Sequence, residues 1–465
     1  MLQPDVSRYL EAAREKHLAK LLELLRFPSI ANVQGERDQC GPCAAWLAEY
    51  LSGLGLKAEV LAGEGKPTVI AALDVSSDAP TLLIYGHYDV QPPDPLELWD
   101  SAPFDPVVRD GCIFARGASD NKGQLFAHMM AIDACLQTSS LPVNLKLLIE
   151  GEEEIGSPHL EGFMAAHVDR LAADAAVISD SSFFAEGIPS ITYALRGLVY
   201  VELTVTGPSC DVHSGQYGGL VRNPANALAA MVASMHDADG RVTVEGFYDD
   251  VVAVTDDERR MWRSLPFEEE QLAASLGVEA LAGGEDGCAA LVRRWARPTL
   301  DCNGIVGGYT QAGSKTIIPA RASAKISMRL VANQDPEKVA EAFKRFVAAR
   351  TPPGVRSEVA VSAKARPVVL STDSPAMRAA KAAMAEAFGA EVALVRSGAS
   401  VPVTELIQRL LGLDAVLMGF GLPDDGMHGP NERLKLDQLW RGSVASAALM
   451  HNLGQQAVPD EQVRA

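Results

Sequence analysis

The sequence predicts an α/β protein in which a helix-flanked, largely parallel (mixed) sheet domain is interrupted by an inserted α+β unit. Three observations carry this. Apolar strand-like runs alternate with helical periodicity up to about residue 196; strands with one exposed face dominate residues 197–366; helix and apolar strand then alternate again over 367–465. A chain of 465 residues exceeds one average domain, so a discontinuous first domain (1–196 and 367–465) around a second (197–366) is the expected organisation.

The elements follow in order. The N-terminal "MLQPDVSRYLEAAREKHLAKLLELL" has apolar residues at helical spacing, and "CAAWLAEYLSGLG" reads as a further helix. "KAEVLAG", "PTVIAAL", "TLLIYGHYDV", "VNLKLLIEG" and "DAAVISD" read as strands, and "GQLFAHMMAIDACLQ" as a helix between them. "LVYVELTVTG" alternates as a strand with one wet face, and "NPANALAAMVASMHD" follows as a helix. Ala238 to Pro298 is acidic and less regular. "DCNGIVGGY" and "KTIIPARASAKISMRLVA" read as strands, "PEKVAEAFKRFVAAR" as a helix, and "LDAVLMGFG" as a strand after the insertion. In a parallel sheet, ligand sites lie at the carboxyl ends of the strands.

Charge and composition exclude several classes. A formal net charge of −19 opposes a phosphate-backbone partner, so no nucleic acid is expected. The N-terminus lacks the basic start and apolar core of a signal peptide, and no apolar run approaches the ~20 residues that span a bilayer. A cytoplasmic protein without a membrane partner is the expectation, and seven cysteines without framework spacing fit a reducing compartment. "CGPC" at Cys40 to Cys43 matches the centre of a thioredoxin-type motif, but the preceding "NVQGERDQ" has no strand character. Gly41 and Pro42 are better read as helix-start residues.

The chemistry concentrates at strand ends and loops: His87 and Asp89 in "GHYD", Asp120 in "GASDN", Glu153 and Glu154 in "GEEE", Asp180 in "VISD", His428 in "GMHGPNE". Each has an ordinary structural explanation alone; an Asp before a helix, for instance, is commonly an N-cap. Together they form two histidines and several carboxylates without thiolates, a donor set for zinc, manganese or cobalt. If Asp120 bridges two divalent ions, with Glu154 on one and Asp180 on the other, three carboxylates and one hydroxide balance the two cations. Glu153 is then left as an unligated carboxylate able to move protons.

The ordered blocks "YGHYDVQPP", "ARGASDNKG", "EGEEEIGS", "ISD", "DVHSGQYGG", "KTIIP", "MRL" and "MHGPNE" closely resemble the co-catalytic metallopeptidases that include cytosolic dipeptidases, carnosinases, aminoacylases and desuccinylases. The resemblance runs from about Leu10 to Asn452. It implies that residues 1–196 and 367–465 form a catalytic domain and 197–366 a lid and dimerisation domain. It further implies that His87, Asp120 and Asp180 hold one ion, and Asp120, Glu154 and His428 the other. Asp89 would orient His87, Glu153 would be the general base, and the Asp120–Asn121 peptide bond would be cis. His213 would reach the oxyanion from the partner subunit, making the protein a homodimer through the lid. Arg329 would clamp the substrate carboxylate, with Thr316 and Ser400 as polar partners.

Lys315 and Thr316 in "KTIIP", with the long insertion, resemble the dipeptidase branch rather than the desuccinylases. The expected function is hydrolysis of dipeptides or short peptides, releasing a C-terminal amino acid with two divalent ions per subunit, zinc foremost. N-acyl amino acid deacylation is the alternative, and a metal-free binding or scaffold relative is a third reading of another class. No Gly-x-Ser-x-Gly elbow or phosphate loop offers a competing chemistry.

Overall fold

The computed structural model describes residues 2–35, 38–398 and 401–456. The chain divides into two compact units: Met1–Tyr193 with Leu370–Val395 and Pro402–Ala465, and Ala194–Val369 with Arg396–Val401. The sequence reading placed Arg396 in the catalytic domain, yet it clusters with the second unit. The reason is that it pairs with Glu258 and lies over the Trp262 ring, 5.2 Å from its centroid.

In the first unit the sheet uses β1 (Lys57–Leu61), β2 (Thr68–Leu73), β3 (Thr81–His87), β4 (Asn144–Glu150), β5 (Ala175–Ile178), β6 (Ser190–Leu195) and β7 (Ala415–Leu417). Their order is β1-β2-β4-β3-β5-β7-β6. The central pairs β4/β3, β3/β5 and β5/β7 are parallel, and the flanking pairs are antiparallel. Parallel strands buried on both faces need continuous apolar sequence, and β3 is buried from Leu82 through His87. Register pairs His87 with Glu150 and Tyr85 with Ile178. The polar residues that end or follow these strands therefore emerge along one edge.

Six helices matter for this unit: α1 (Pro4–Ala12), α2 (Arg14–Leu25), α3 (Cys40–Gly53), α4 (Lys122–Gln137), α5 (Pro375–Phe388) and α6 (Leu436–Gln456). The N-terminal stretch is two helices, because Ala13 leaves helical geometry at φ −92°, ψ 5°. Helix α4 is buried on every side from Lys122 to Cys135, as expected of a helix at the centre of a core. Gly86 lets it approach β3, since a Cβ there would lie 2.8 Å from Leu125 Cδ1. Buried Lys122 donates to the carbonyls of Phe27 (2.7 Å) and Leu24 (3.4 Å), satisfying the end of α2. Cys40 and Cys43 are buried free thiols in the first turn of α3, and burial raises the pKa of both, the opposite of a redox-active pair.

A small three-stranded sheet, unforeseen from the sequence, pairs Cys112–Phe114 with Val107–Arg109 on one side and Arg433–Lys435 on the other. It ties the segment leading to Asp120 to the segment that follows His428.

The second unit contains a four-stranded antiparallel sheet in the order Thr299–Gly307, Arg321–Leu330, Gly197–Thr206, Arg356–Ala365. Gly197–Thr206 alternates strictly between buried and half-buried residues. Its inward Val199, Val201, Leu203 and Val205 form a core with Leu228, Phe343 and Phe346 from the helices Pro224–Ala233 and Pro336–Arg350. "KTIIPARASAKISMRLVA" is not one strand: Pro319 separates Ile317–Ile318 from Arg321–Leu330, and the two pieces join different sheets. The irregular segment contains helices Asp256–Arg263, Glu269–Ser275 and Ala290–Ala296. A capping box of Thr255 and Glu258 starts the first, and Trp262 meets Trp295 edge to face at 5.2 Å. Helices of seven or eight residues are marginal alone and owe their form to such contacts.

Buried Asp133 on α4 joins the two N-terminal helices, its Oδ2 receiving Tyr9 Oη (3.0 Å), Lys16 Nζ (2.8 Å) and His17 Nε2 (2.8 Å). Burial alone would raise its pKa, but the hydrogen bonds from His17, Lys16 and Tyr9 outweigh it and hold the carboxyl at about 2. A depressed carboxyl stabilises the fold above its unfolded pKa of about 3.9, and this stabilisation is lost as pH falls towards 2. We predict that Asp133→Asn lowers neutral-pH stability by about 1–3 kcal/mol. Thermal melts from pH 7 to 2 should show the gap from wild type closing below pH 4.

Candidate metal centre

Parallel register brings His87, at the end of β3, beside the turn after β4 that carries Glu153 and Glu154, with Asp180 two residues past β5. The segments that the small sheet ties together carry Asp120 and His428. Asp120 lies between the two histidines: His87 Nε2 is 3.2 Å from its Oδ1, and His428 Nε2 is 2.9 Å from its Oδ2. His87 Nε2 is also 3.6 Å from Asp180 Oδ1, and His428 Nε2 is 3.3 Å from Glu154 Oε2. Two groups could hold metal ions: His87, Glu153 and Asp180, and Asp120, Glu154 and His428.

Each group is held by a partner set. Asp89, fully buried, accepts from the backbone N–H groups of Glu153 (3.2 Å) and Glu154 (3.0 Å). Its Oδ1 is 3.4 Å from His87 Nδ1, which also contacts the Asp89 carbonyl at 3.1 Å. One carboxylate thus fixes both an imidazole and the glutamate turn. Asp120 does not cap α4; Asn121 occupies that position, without a side-chain cap hydrogen bond. The Asp120–Asn121 bond is cis, as the resemblance implied.

Sequence reasoning passed over three residues. Asn121 Nδ2 donates to Ser179 O (2.6 Å) and Asp180 Oδ1 (3.0 Å). Gln91 Nε2 donates to Glu154 Oε2 at 2.9 Å. Buried Glu432 accepts from Arg116 Nη1 (2.8 Å) and from the N–H groups of Gly117 (2.9 Å), Ser119 (2.9 Å) and Asp120 (3.0 Å). Glu432 closes the quoted "MHGPNE", so its place in the motif was the available signal. His428 and Asn431 adopt left-handed backbone, φ 62° and 59°, an uncommon conformation for residues other than glycine.

The turn also explains three adjacent glutamates. Glu153 and Glu154 belong to the cluster, whereas Glu152 pairs with His159 at 2.8 Å. Gly65 leaves room for it, because a Cβ there would lie 2.2 Å from Glu152 Oε2.

Electrostatics mark an excess of negative charge. Burial pushes the Glu153 carboxyl up to about 9, against the pull of His87, with the charges of Asp180, Asp120 and Glu154 adding to the rise. Hydrogen bonds to Asp120 and Glu154 push His428 up to about 10. His87 is raised despite its burial, mainly by Asp180 and Asp120. Asp120 is lowered because the two imidazoles outweigh its desolvation. Protons are retained where cations would compensate the charge. His87 Nε2 is buried without a hydrogen bond among the described residues, though carboxylates face it. The nitrogen and oxygen donor set fits zinc, manganese or cobalt.

The other expected site residues lie in the second unit or outside the described residues. His213 is exposed, and its Nδ1 accepts from the Gly215 N–H at 3.0 Å. Its strand, Val212–His213, pairs with Ile317–Ile318, and Ser214 N donates to Thr316 O at 3.0 Å, so "DVHSG" and "KTIIP" are neighbours. Arg329 pairs across its sheet with Thr299 and Leu198. Ser400 lies outside the described residues.

The fold and paired clusters define a metal-dependent hydrolase. The chain belongs to peptidase family M20/M25/M40, whose pattern matches residues 83–452. The crystal structure of an M20 family metallo-carboxypeptidase from Sulfolobus solfataricus is similar, with TM-score 0.86 and 36% identity, covering 95% of this chain and 99% of that one. Beta-Ala-His dipeptidase of Homo sapiens is 32% identical over 395 residues, 84% of this chain and 78% of that protein. A Cys-Gly metallodipeptidase of Schizosaccharomyces pombe is 30% identical over 461 residues, 96% of this chain and 97% of that protein. No helix among the described residues is long and apolar enough to cross a membrane.

Asp89→Asn should weaken zinc binding by about 10–100-fold, the usual cost of losing an outer-sphere partner. Competition against a chromogenic chelator measures it, and unchanged affinity would deny Asp89 this role.

Proposed function

We propose that this chain is a dipeptidase that releases the C-terminal amino acid from dipeptides or short peptides. The observation that carries the reading is the division of Asp120, one carboxylate oxygen toward His87 and the other toward His428. It is the arrangement a bridging ligand requires. His87, Asp120 and Asp180 would hold one ion and Asp120, Glu154 and His428 the other, with zinc as the favoured metal. When bound, such ions lower the pKa of water and draw charge from a carbonyl oxygen.

The chain's own groups supply the remainder. Glu153 takes a proton from the attacking water and returns it to the leaving amine, a contribution of typically 10²–10⁴-fold. Its carboxylate lies beside His87 and Asp180, near enough to be a ligand itself; in this assignment Asp120 takes the ligand role and Glu153 stays free beside the ion for that task. Asp89 keeps His87 and the Glu153–Glu154 turn in place. Arg329 clamps the substrate carboxylate by a bidentate contact, and Thr316 and Ser400 assist. His213 stabilises the oxyanion from a partner subunit, so the enzyme is a homodimer through the second unit, which serves as lid. The exposure of His213 and its pairing beside Thr316 support this. Free cysteines fit a cytoplasmic setting.

Glu153→Gln should retain both metals and lose at least 10² in turnover; a variant above one-tenth of wild-type turnover would reject the assignment. Mixing inactive His213→Ala with inactive Glu153→Gln should restore activity if His213 acts across subunits, whereas an inactive mixture points to action within one chain. A zinc-loaded panel of dipeptides against N-acyl amino acids checks the substrate class. Preference for the N-acyl compounds would overturn it.

A further inference from the structure

The second unit contains a cavity of about 610 Å³ formed by the acidic insertion and the first residues of Thr299–Gly307. That volume is in the range of small-molecule sites, roughly 300–1,000 Å³. Its apolar wall includes Phe267, Leu272 and Leu281, and its polar wall includes Arg196, Arg293 and Arg294.

The charges facing this space do not balance. Two carboxylates line it, Glu285 and Asp301. Glu285 is engaged by guanidiniums that do not line the cavity: Arg241 Nη1 and Arg297 Nη2, each at 2.9 Å, with Arg297 Nε closer still. Three arginines therefore share the space with one further carboxylate, Asp301, whose Oδ2 accepts from Thr299 Oγ1 at 3.1 Å. Arg293 is anchored to Leu281 O at 2.7 Å, with Glu269 3.9 Å away. Arg196 is buried and held by the carbonyls of Arg293 (2.6 Å) and Arg297 (2.9 Å). The Arg294 side chain, on the helix Ala290–Ala296, makes no hydrogen bond or ion pair among the described residues. Burial lowers the Arg196 pKa to about 10, the positive charges of Arg329 and Arg294 adding to the shift and the carboxylate of Asp301 opposing it.

We infer that this cavity binds a small organic carboxylate with an apolar body, its carboxylate on the arginine wall and its hydrocarbon against Phe267, Leu272 and Leu281. A bidentate guanidinium suits a carboxylate, and the apolar wall separates such a ligand from inorganic anions. The inference does not rest on the dipeptidase reading, since the site lies within the second unit and uses none of the metal-cluster residues.

Titration calorimetry of the full-length protein with 3-phenylpropanoate tests it, with acetate and inorganic phosphate as comparison probes. Phenylpropanoate should bind at least tenfold more tightly than either, and exposed Arg294, changed by Arg294→Glu, should weaken it at least tenfold. Asp120→Asn, which disrupts the metal cluster, should leave the affinity unchanged. Unaltered binding in Arg294→Glu, or loss in Asp120→Asn, would overturn the assignment. Equal affinity for phosphate would overturn the organic-carboxylate class.

Discussion

Crowded carboxylates are the constraint on which the first unit is organised. Asp89, Asp120, Glu153, Glu154 and Asp180 converge on two imidazoles, and like charges about 4 Å apart repel by roughly 4 kcal/mol at an effective dielectric of ~20. A fold can retain such a cluster only if cations or protons offset it. Protonation of His428, His87 and Glu153 is displaced upward accordingly. The pair of divalent ions that these donors suit would perform the same compensation.

Much of the surrounding structure can be understood as support for that cluster. Asp89 binds an imidazole edge and two backbone amides at once. Glu432 gathers Arg116 and three amides, fixing the approach to Asp120. Asn121 aligns Asp180. Buried charges of this kind persist only when their hydrogen-bonding capacity is filled. The result is a donor set built from chain segments more than three hundred residues apart, as the contact of Asp120 with His428 shows.

The second unit follows different rules. Its sheet is wet on one face, so its strands alternate and were readable; its insertion helices are short and depend on Trp262, Trp295 and Arg396 for their stability. Local periodicity over seven or eight residues is too weak to fix such helices, which is why Ala238 to Pro298 read as irregular. The break at Pro319 was visible as a residue. Its consequence, two pieces in separate sheets, depended on which strand each piece met.

By itself the sequence determined the α/β class, the central strands, the inserted unit and the candidate side chains for a metal cluster. Those follow from periodicity and from residue chemistry at strand ends, both of which are local. Tertiary structure alone decided that Asp120 divides its oxygens between His87 and His428, that Asp89 also pins the glutamate turn, and that Glu152 turns away to His159. It also decided the small sheet joining residues 112–114 to 433–435 and the arginine-lined cavity. These are encounters between segments distant along the chain, and nothing in a linear pattern states which of several carboxylates a given imidazole or amide will meet.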